Sequence, residues 1–146
     1  MGRAVQSFLA MVPPTVTHND LETYVRANGT RGVRKSDRLR DAESLIRAHL
    51  SRVRPVAPLS GALRADVRWC FPTGGRHVQG EPMTDVPDLD NLEKTFLDCC
   101  RREGLIADDR LVVEKRTLKA WSDPAGIWFR FEEVRGHSGE DGACNK

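Results

Sequence analysis

Three features of this sequence predict a small single-domain α/β (α+β) fold on a mixed sheet, with elements in the order β-α-β-α-β-β. The 146 residues leave room for one domain of ordinary size. Two segments repeat apolar residues at helical spacing, and the stretch 62–71 alternates apolar and polar residues with the period of a strand buried on one face. A strand of that kind suits an antiparallel or mixed sheet better than a parallel sheet covered on both sides.

Residues 7–12 read as the first strand, stopped by Pro13-Pro14, which cannot continue a hydrogen-bonded ladder. The polar stretch 15–35, with Arg26, Arg31, Arg34 and Lys35 around Asn28-Gly29 and Gly32, reads as a flexible basic segment. A helix is predicted from the good N-cap Ser36 to about Val53, ahead of Pro55. Leu39, Ala42, Ile46, Leu50 and Val53 form its buried stripe, and Arg40, Arg47 and Arg54 recur every seven residues on one flank. That flank suits phosphate and a solvated helix face equally.

In the strand 62–71, Leu63, Ala65, Val67, Trp69 and Phe71 point one way and Arg64, Asp66 and Arg68 the other. Residues 72–87 form a long loop rich in Gly and Pro, of a length that is more often functional than decorative. A second helix is predicted over 91–103. Asp90 and Glu93 have the spacing of an acidic capping box, Leu92, Phe96 and Cys99 or Cys100 supply the buried stripe, and Arg101 and Arg102 sit in the last turn before Gly104 at C′. A third strand begins at 111–113 and extends toward Leu118; a fourth covers 127–134, after a turn over 122–126. The domain is expected over 1–134, with 135–146 a disordered tail.

Composition narrows the setting. Apolar residues make up 39% and charged residues 30%, as in soluble globular proteins, and no apolar run reaches the length of a membrane span. With no signal-peptide pattern, a cytoplasmic protein with no membrane partner is expected. Cys70, Cys99, Cys100 and Cys144 lack the spacing of a disulfide framework or a CxxC zinc site, so reduced structural thiols are expected. The net charge of +2 hides an asymmetry: residues 1–70 hold 12 Lys/Arg against 6 Asp/Glu, and residues 71–146 hold 11 against 15. An enzyme that grips a polyanion and presents carboxylates to it has such a division, and so does a protein with ordinary solvated faces.

The informative stretch is 87–119, PDLDNLEKTFLDCCRREGLIADDRLVVEKRTLK. Asp88 and Asp90 lie at a loop-to-helix junction, where the helix's positive end tolerates anions and several oxygens can converge on a hard cation such as Mg²⁺. Lys94 lies one turn beyond Asp90 on the same face, and a second acidic pair, Asp108-Asp109, follows the helix. Carboxylates with a lysine are the components of metal-assisted phosphodiester hydrolysis: the metal activates water and the ammonium stabilises developing charge. Each piece also has a structural reading. Helix capping accounts for Asp90, an i±4 pair with Asp90 or Asp98 for Lys94, and an acidic turn for Asp108-Asp109.

Taken together, P-D-L-D-N-L-x-K, then F-x-D, a Gly, D-D-x-x-V-V and a Lys resemble the RusA-type Holliday-junction resolvases. The motif match is gapless from Asp88 to Lys119, and the strand before Pro13-Pro14, the helix near 36–53 and the strand 62–71 fall in the family's order. The resemblance implies a homodimeric endodeoxyribonuclease, dependent on Mg²⁺ with Mn²⁺ as a substitute, that resolves four-way DNA junctions by paired cuts. Asp88, Asp90 and Asp109 match the family's catalytic, metal-binding carboxylates and Lys94 its catalytic lysine; Asp98 and Lys119 match recurring positions with a supporting or DNA-contacting role. The family tends to carry Asn and basic residues where this chain has Thr15, Val16, Thr17 and His18, and basic residues where it has Thr84, Asp85 and Val86.

Because the active segment is acidic, attraction to DNA is expected from Arg26, Arg31, Arg34, Lys35, Arg40 and Arg47, with Lys119 beside the motif. Two symmetric cuts need two sites, hence a dimer, for which Trp69 and Phe129 are interface candidates if they are not core. A helix over 91–103 is about 19 Å long, and the five residues 104–108 reach roughly 17 Å when extended. Asp109 can therefore return to Asp90 in its own chain only if that segment runs back along the helix; donation by a second subunit is the alternative. Two other functions fit the residues: a metal-dependent nuclease for other branched or flap DNA, and a non-cleaving DNA-structure binder with structural carboxylates.

Overall fold

The strand over 62–71 lies at the centre of the sheet, with its apolar face toward the helices. In the computed structural model, which describes residues 2–17 and 19–135, the strands are Ala4–Leu9 (β1), Leu21–Val25 (β2), Arg31–Lys35 (β3), Leu63–Phe71 (β4), Glu81–Pro82 (β5), Val112–Trp121 (β6) and Gly126–Glu133 (β7). The helices are Asp37–Ser51 (α1) and Leu89–Arg102 (α2), with a 3-10 turn at Asp109–Leu111. Five strands form one mixed sheet in the order β1-β7-β4-β6-β5, in which β4 runs parallel to β6 and antiparallel to β7. The predicted mixed α/β fold is present.

Leu63, Ala65, Val67, Trp69 and Phe71 are buried on the helix side, together with Ile127, Phe129 and Phe131 of β7. Phe96 of α2 enters this cluster, with ring centroids 5.7 Å from Trp69 and 5.4 Å from Phe129. Aromatic packing thus sets α2 on the sheet, and with it everything α2 carries. Trp69 and Phe129, offered as interface candidates, are fully buried core residues.

Several elements differ from the sequence reading. The first strand is Ala4–Leu9 rather than 7–12, because its register on β7, from Ala4 opposite Glu132 to Leu9 opposite Ile127, ends where β7 ends. The segment expected to be flexible over 15–35 contains the antiparallel hairpin β2–β3, and the loop expected over 72–87 contains the short strand β5, which together make the observed order β-β-β-α-β-β-α-β-β. The hairpin turn carries Gly29 at φ 86, and the Arg26 N–H donates to Thr30 O at 2.7 Å. The Asn28-Gly29 pair is the local hairpin signal. At Gly32 a Cβ would lie 2.7 Å from the Arg26 guanidinium and 2.8 Å from the Tyr24 ring, so any larger residue there would have to push these side chains aside. The stripe of α1 also includes Glu43, whose carboxylate is buried and takes Lys35 Nζ at 2.8 Å.

The C-terminal end of α2 follows the prediction. Gly104 has φ 80, its N–H donates to Arg101 O at 3.2 Å, and the Leu105 N–H donates to Cys100 O at 2.9 Å. These two bonds make a Schellman motif. Leu105 and Ile106 are then buried and the chain returns along the helix. Cys99 and Cys100 are buried free thiols, and burial pushes Cys99 up to about 12. Among the described residues no helix is long and apolar enough to cross a membrane. Apart from Arg135, the tail expected over 135–146 lies outside the described residues.

Candidate active site

The start of α2 decides how the acidic motif is displayed. The helix begins at Leu89 and its N-cap is Asp88, not Asp90; the Leu92 N–H donates to the Asp88 carbonyl at 3.0 Å, while the Asp88 side chain makes no capping bond. Asp90 lies inside the first turn. Capping therefore accounts for neither carboxylate. Among the described residues Lys94 forms no ion pair, so the i±4 reading does not account for it either. Asp98, one turn on, is bound by Arg101 at 2.8 Å, Arg102 at 3.5 Å and Lys35 at 3.8 Å. Burial alone would raise the Asp98 carboxyl, but the Arg101 hydrogen bond and the charges of Lys35 and Arg102 hold it below its ordinary range.

The second acidic pair divides its labour. Asp108 caps the 3-10 turn, accepting the Arg110 N–H at 2.9 Å, and that backbone bond together with a hydrogen bond to the Asp109 carboxyl holds its carboxyl below its ordinary range, favouring the ionised form. Asp109 is left exposed beside α2. With Asp90, Glu93, Lys94, Leu97 and Lys115 it lines an open cavity of about 360 Å³. Asp90, Glu93, Lys94 and Leu97 share one helix face by their spacing of three, four and seven, and Lys115 approaches from β6. The return of Asp109 thus takes place within one chain.

Asp88 does not join that cavity. It lines a neighbouring one, also about 360 Å³, with Thr15, Val16, Thr17, Arg38 and Asn91 among its walls. Two helical positions are about 200° apart around the axis, so Asp88 and Asp90 emerge on different sides of the helix start. Accordingly, no three Asp, Glu, His or Cys side chains among the described residues gather as a metal-binding cluster. The loop that delivers Asp88 is held by Lys119, whose Nζ donates to Asp85 O at 2.6 Å and Pro87 O at 2.7 Å.

Most of the residues expected to contact DNA are engaged within the fold. Arg26 is bound to Arg31 O at 2.7 Å, Arg34 to Glu22 at 2.9 Å, Lys35 to Glu43, Arg40 to Asp37, and Arg47 to Glu103 at 2.9 Å. Of the seven, Arg31 alone has a side chain without a partner among the described residues. The structure adds three site residues that sequence reasoning missed: Arg38 beside Asp88, and the pair Glu93–Lys115 beside Asp90. Glu93 was legible only as a capping residue, and Lys115 only as a charge within a strand.

The family model described as Endodeoxyribonuclease RusA matches residues 12–130, an interval that holds both cavities and every strand of the main sheet except β1 and the last residues of β7. No curated protein matches the chain.

Proposed function

This chain belongs to the RusA endodeoxyribonuclease family, and from that premise we propose that it resolves four-way DNA junctions by Mg²⁺-dependent paired hydrolysis, acting as a homodimer. The observation that supports this most is the group Asp90, Lys94 and Asp109 on one open cavity, with no ion pair inside the fold and no capping duty to occupy it. A protein that only binds DNA has no use for free carboxylates beside phosphates, since they repel.

The donor chemistry fits the metal. Mg²⁺ is commonly held by one or two carboxylates with water and substrate phosphate completing its shell, and Asp90 and Asp109 are exposed oxygen donors on a shared cavity. When bound, Mg²⁺ or Mn²⁺ would supply an activated water and offset phosphate charge. The chain's own residues do the rest. Asp90 and Asp109 present oxygen atoms from a helix and a turn that packing fixes. Lys94 Nζ donates to the phosphoryl oxygens as negative charge builds there and on the leaving oxygen. Asp88, across the helix start, faces the adjoining cavity with Arg38, where the strand leading to the scissile bond can lie.

Paired cuts on a two-fold junction need two such sites, and each chain carries one, which supports a dimer. The test is incubation of the purified protein with labelled four-way junction, flap DNA and linear duplex, with and without Mg²⁺. Symmetric nicks in the junction alone, and only with metal, are expected. Preference for the flap would assign the site to other branched DNA, and binding without cleavage in either metal would defeat the nuclease reading.

A further inference from the structure

Among the described residues, Glu93 is the one carboxylate of the site cavity that forms an ion pair. It projects from α2 on the same face as Asp90 and Lys94, its side chain is 4% exposed, and its Oε2 accepts from Lys115 Nζ at 2.7 Å across the gap between helix and strand. Lys115 itself stands on the helix-facing side of β6, opposite Ala65 of β4, and its side chain remains 54% exposed. An ammonium has three N–H donors, and among the described residues Glu93 Oε2 is its one acceptor. From the geometry we infer that Lys115, fixed by the buried Glu93, is a second phosphate-binding cation of the cleavage site.

Three arguments carry this. First, the cavity holds three carboxylates, Asp90, Glu93 and Asp109, against two lysines. A phosphodiester entering such a site needs positive charge close by, and Lys94 alone does not balance it. Second, the anchoring is asymmetric. Glu93 is out of solvent and cannot follow a ligand, whereas the Lys115 head is half in water beside the space a phosphate would take. A cation tethered at one N–H and open at the others is preorganised, so less rotamer freedom is lost when the phosphate arrives. Third, the hydrogen bond to Glu93 and the nearby charges of Glu93 and Asp90 raise the Lys115 ammonium, which keeps it charged wherever DNA is ionised.

This assignment rests on the cavity being the nuclease site, so the experiment must separate the two. Lys115→Ala alone leaves Glu93 buried without its cation, a change that can destabilise the fold. The double variant Lys115→Met/Glu93→Gln removes the cation and its anchor together, and Lys115→Arg keeps the charge. Arg116→Ala, one residue along on the opposite face of β6, removes the same charge away from the site. The readouts are the salt dependence of junction binding without metal, the single-turnover cleavage rate at saturating protein, and the thermal midpoint.

The double variant should fold and lose roughly 0.9 from the magnitude of the slope of log K against log salt, as one lost phosphate contact requires. It should also lose cleavage on the order of a hundredfold, as removal of a transition-state donor does. Lys115→Arg should restore most of both, and Arg116→Ala should leave the cleavage rate unchanged. A purely structural Lys115–Glu93 pair predicts a lower midpoint with wild-type slope and wild-type rate. That result, alongside an inactive Asp90→Asn, would overturn the role of Lys115 and leave the site standing. An active Asp90→Asn would remove the site itself.

Discussion

The two ends of α2 carry similar numbers of charges and treat them in opposite ways. At the C-terminal end every acid is satisfied: Asp98 by Arg101, Arg102 and Lys35; Glu103 by Arg47 at 2.9 Å and Arg54 at 3.8 Å; and the facing Glu43 by Lys35 and Arg102. At the N-terminal end Asp88, Asp90 and Lys94, with Asp109 across the turn, make no ion pair among the described residues. The same helix and the same residue types are present, so composition does not distinguish the two regions. Pairing does. At the C-terminal end the neutralised charges hold α1, α2 and the hairpin together; at the N-terminal end the fold pairs Glu93 with the half-exposed Lys115 and leaves the other charges open to a ligand.

Breaking the comparison at its open end should have the largest effect. Lys94→Ala removes no internal bond, so its thermal midpoint should stay at wild type while single-turnover cleavage of a four-way junction loses about 2.7–4 kcal/mol of transition-state stabilisation. A rate within threefold of wild type would make Lys94 a plain helix-surface residue. At the closed end the signs reverse. Glu43→Gln removes a charged acceptor from Lys35 and Arg102 and should lower unfolding stability by about 1.5–3 kcal/mol, read from urea titration, with cleavage at saturating protein preserved.

Much of this division could be read in the sequence, and the part that could not is instructive. The periodicity, the Schellman ending at Gly104 and the motif 88–119 are local properties, so a linear reading finds them. The hairpin was missed because its strands are short and polar, although Asn28-Gly29 marks its turn. Glu93 and Lys115 are 22 residues apart, and only the packing of α2 on β6 joins them. Nor does the spacing of Asp88 and Asp90 reveal that a helix start sends them to different cavities. Which basic residues are already occupied is likewise a tertiary fact, as Lys35 and Arg47 show.

A smaller, pH-dependent effect sharpens the comparison away from α2. Glu133 accepts backbone N–H groups of Arg3 at 3.1 Å, Ser60 at 3.1 Å and Gly61 at 3.2 Å, and these bonds hold its carboxyl at about 2, below its ordinary 4.5. A folded-state value depressed in this way contributes stability that is complete above the ordinary value and is lost as pH falls toward the depressed one. Denaturation midpoints should therefore decline from about pH 5 downward in the wild type and less steeply in Glu133→Gln. Equal slopes in the two proteins would remove Glu133 from the acid limb. The smallest expected effect belongs to Arg31, the unpartnered arginine of the hairpin. Arg31→Ala should flatten the salt slope of junction binding by roughly 0.9, and Arg34→Ala, whose guanidinium is taken by Glu22, should flatten it less; the reverse order would show that internal pairing does not decide which cations meet DNA.

The comparison stands or falls on Asp90, which sits in the first turn of α2 with nothing in the fold to hold. The direct measurement is binding and Mg²⁺-dependent cleavage of one labelled four-way junction by wild type and Asp90→Asn in parallel. Cleavage should be abolished while junction affinity stays equal or becomes tighter, because the change removes a metal ligand and a charge that repels phosphate. An Asp90→Asn protein that cuts the junction at the wild-type rate would contradict the account.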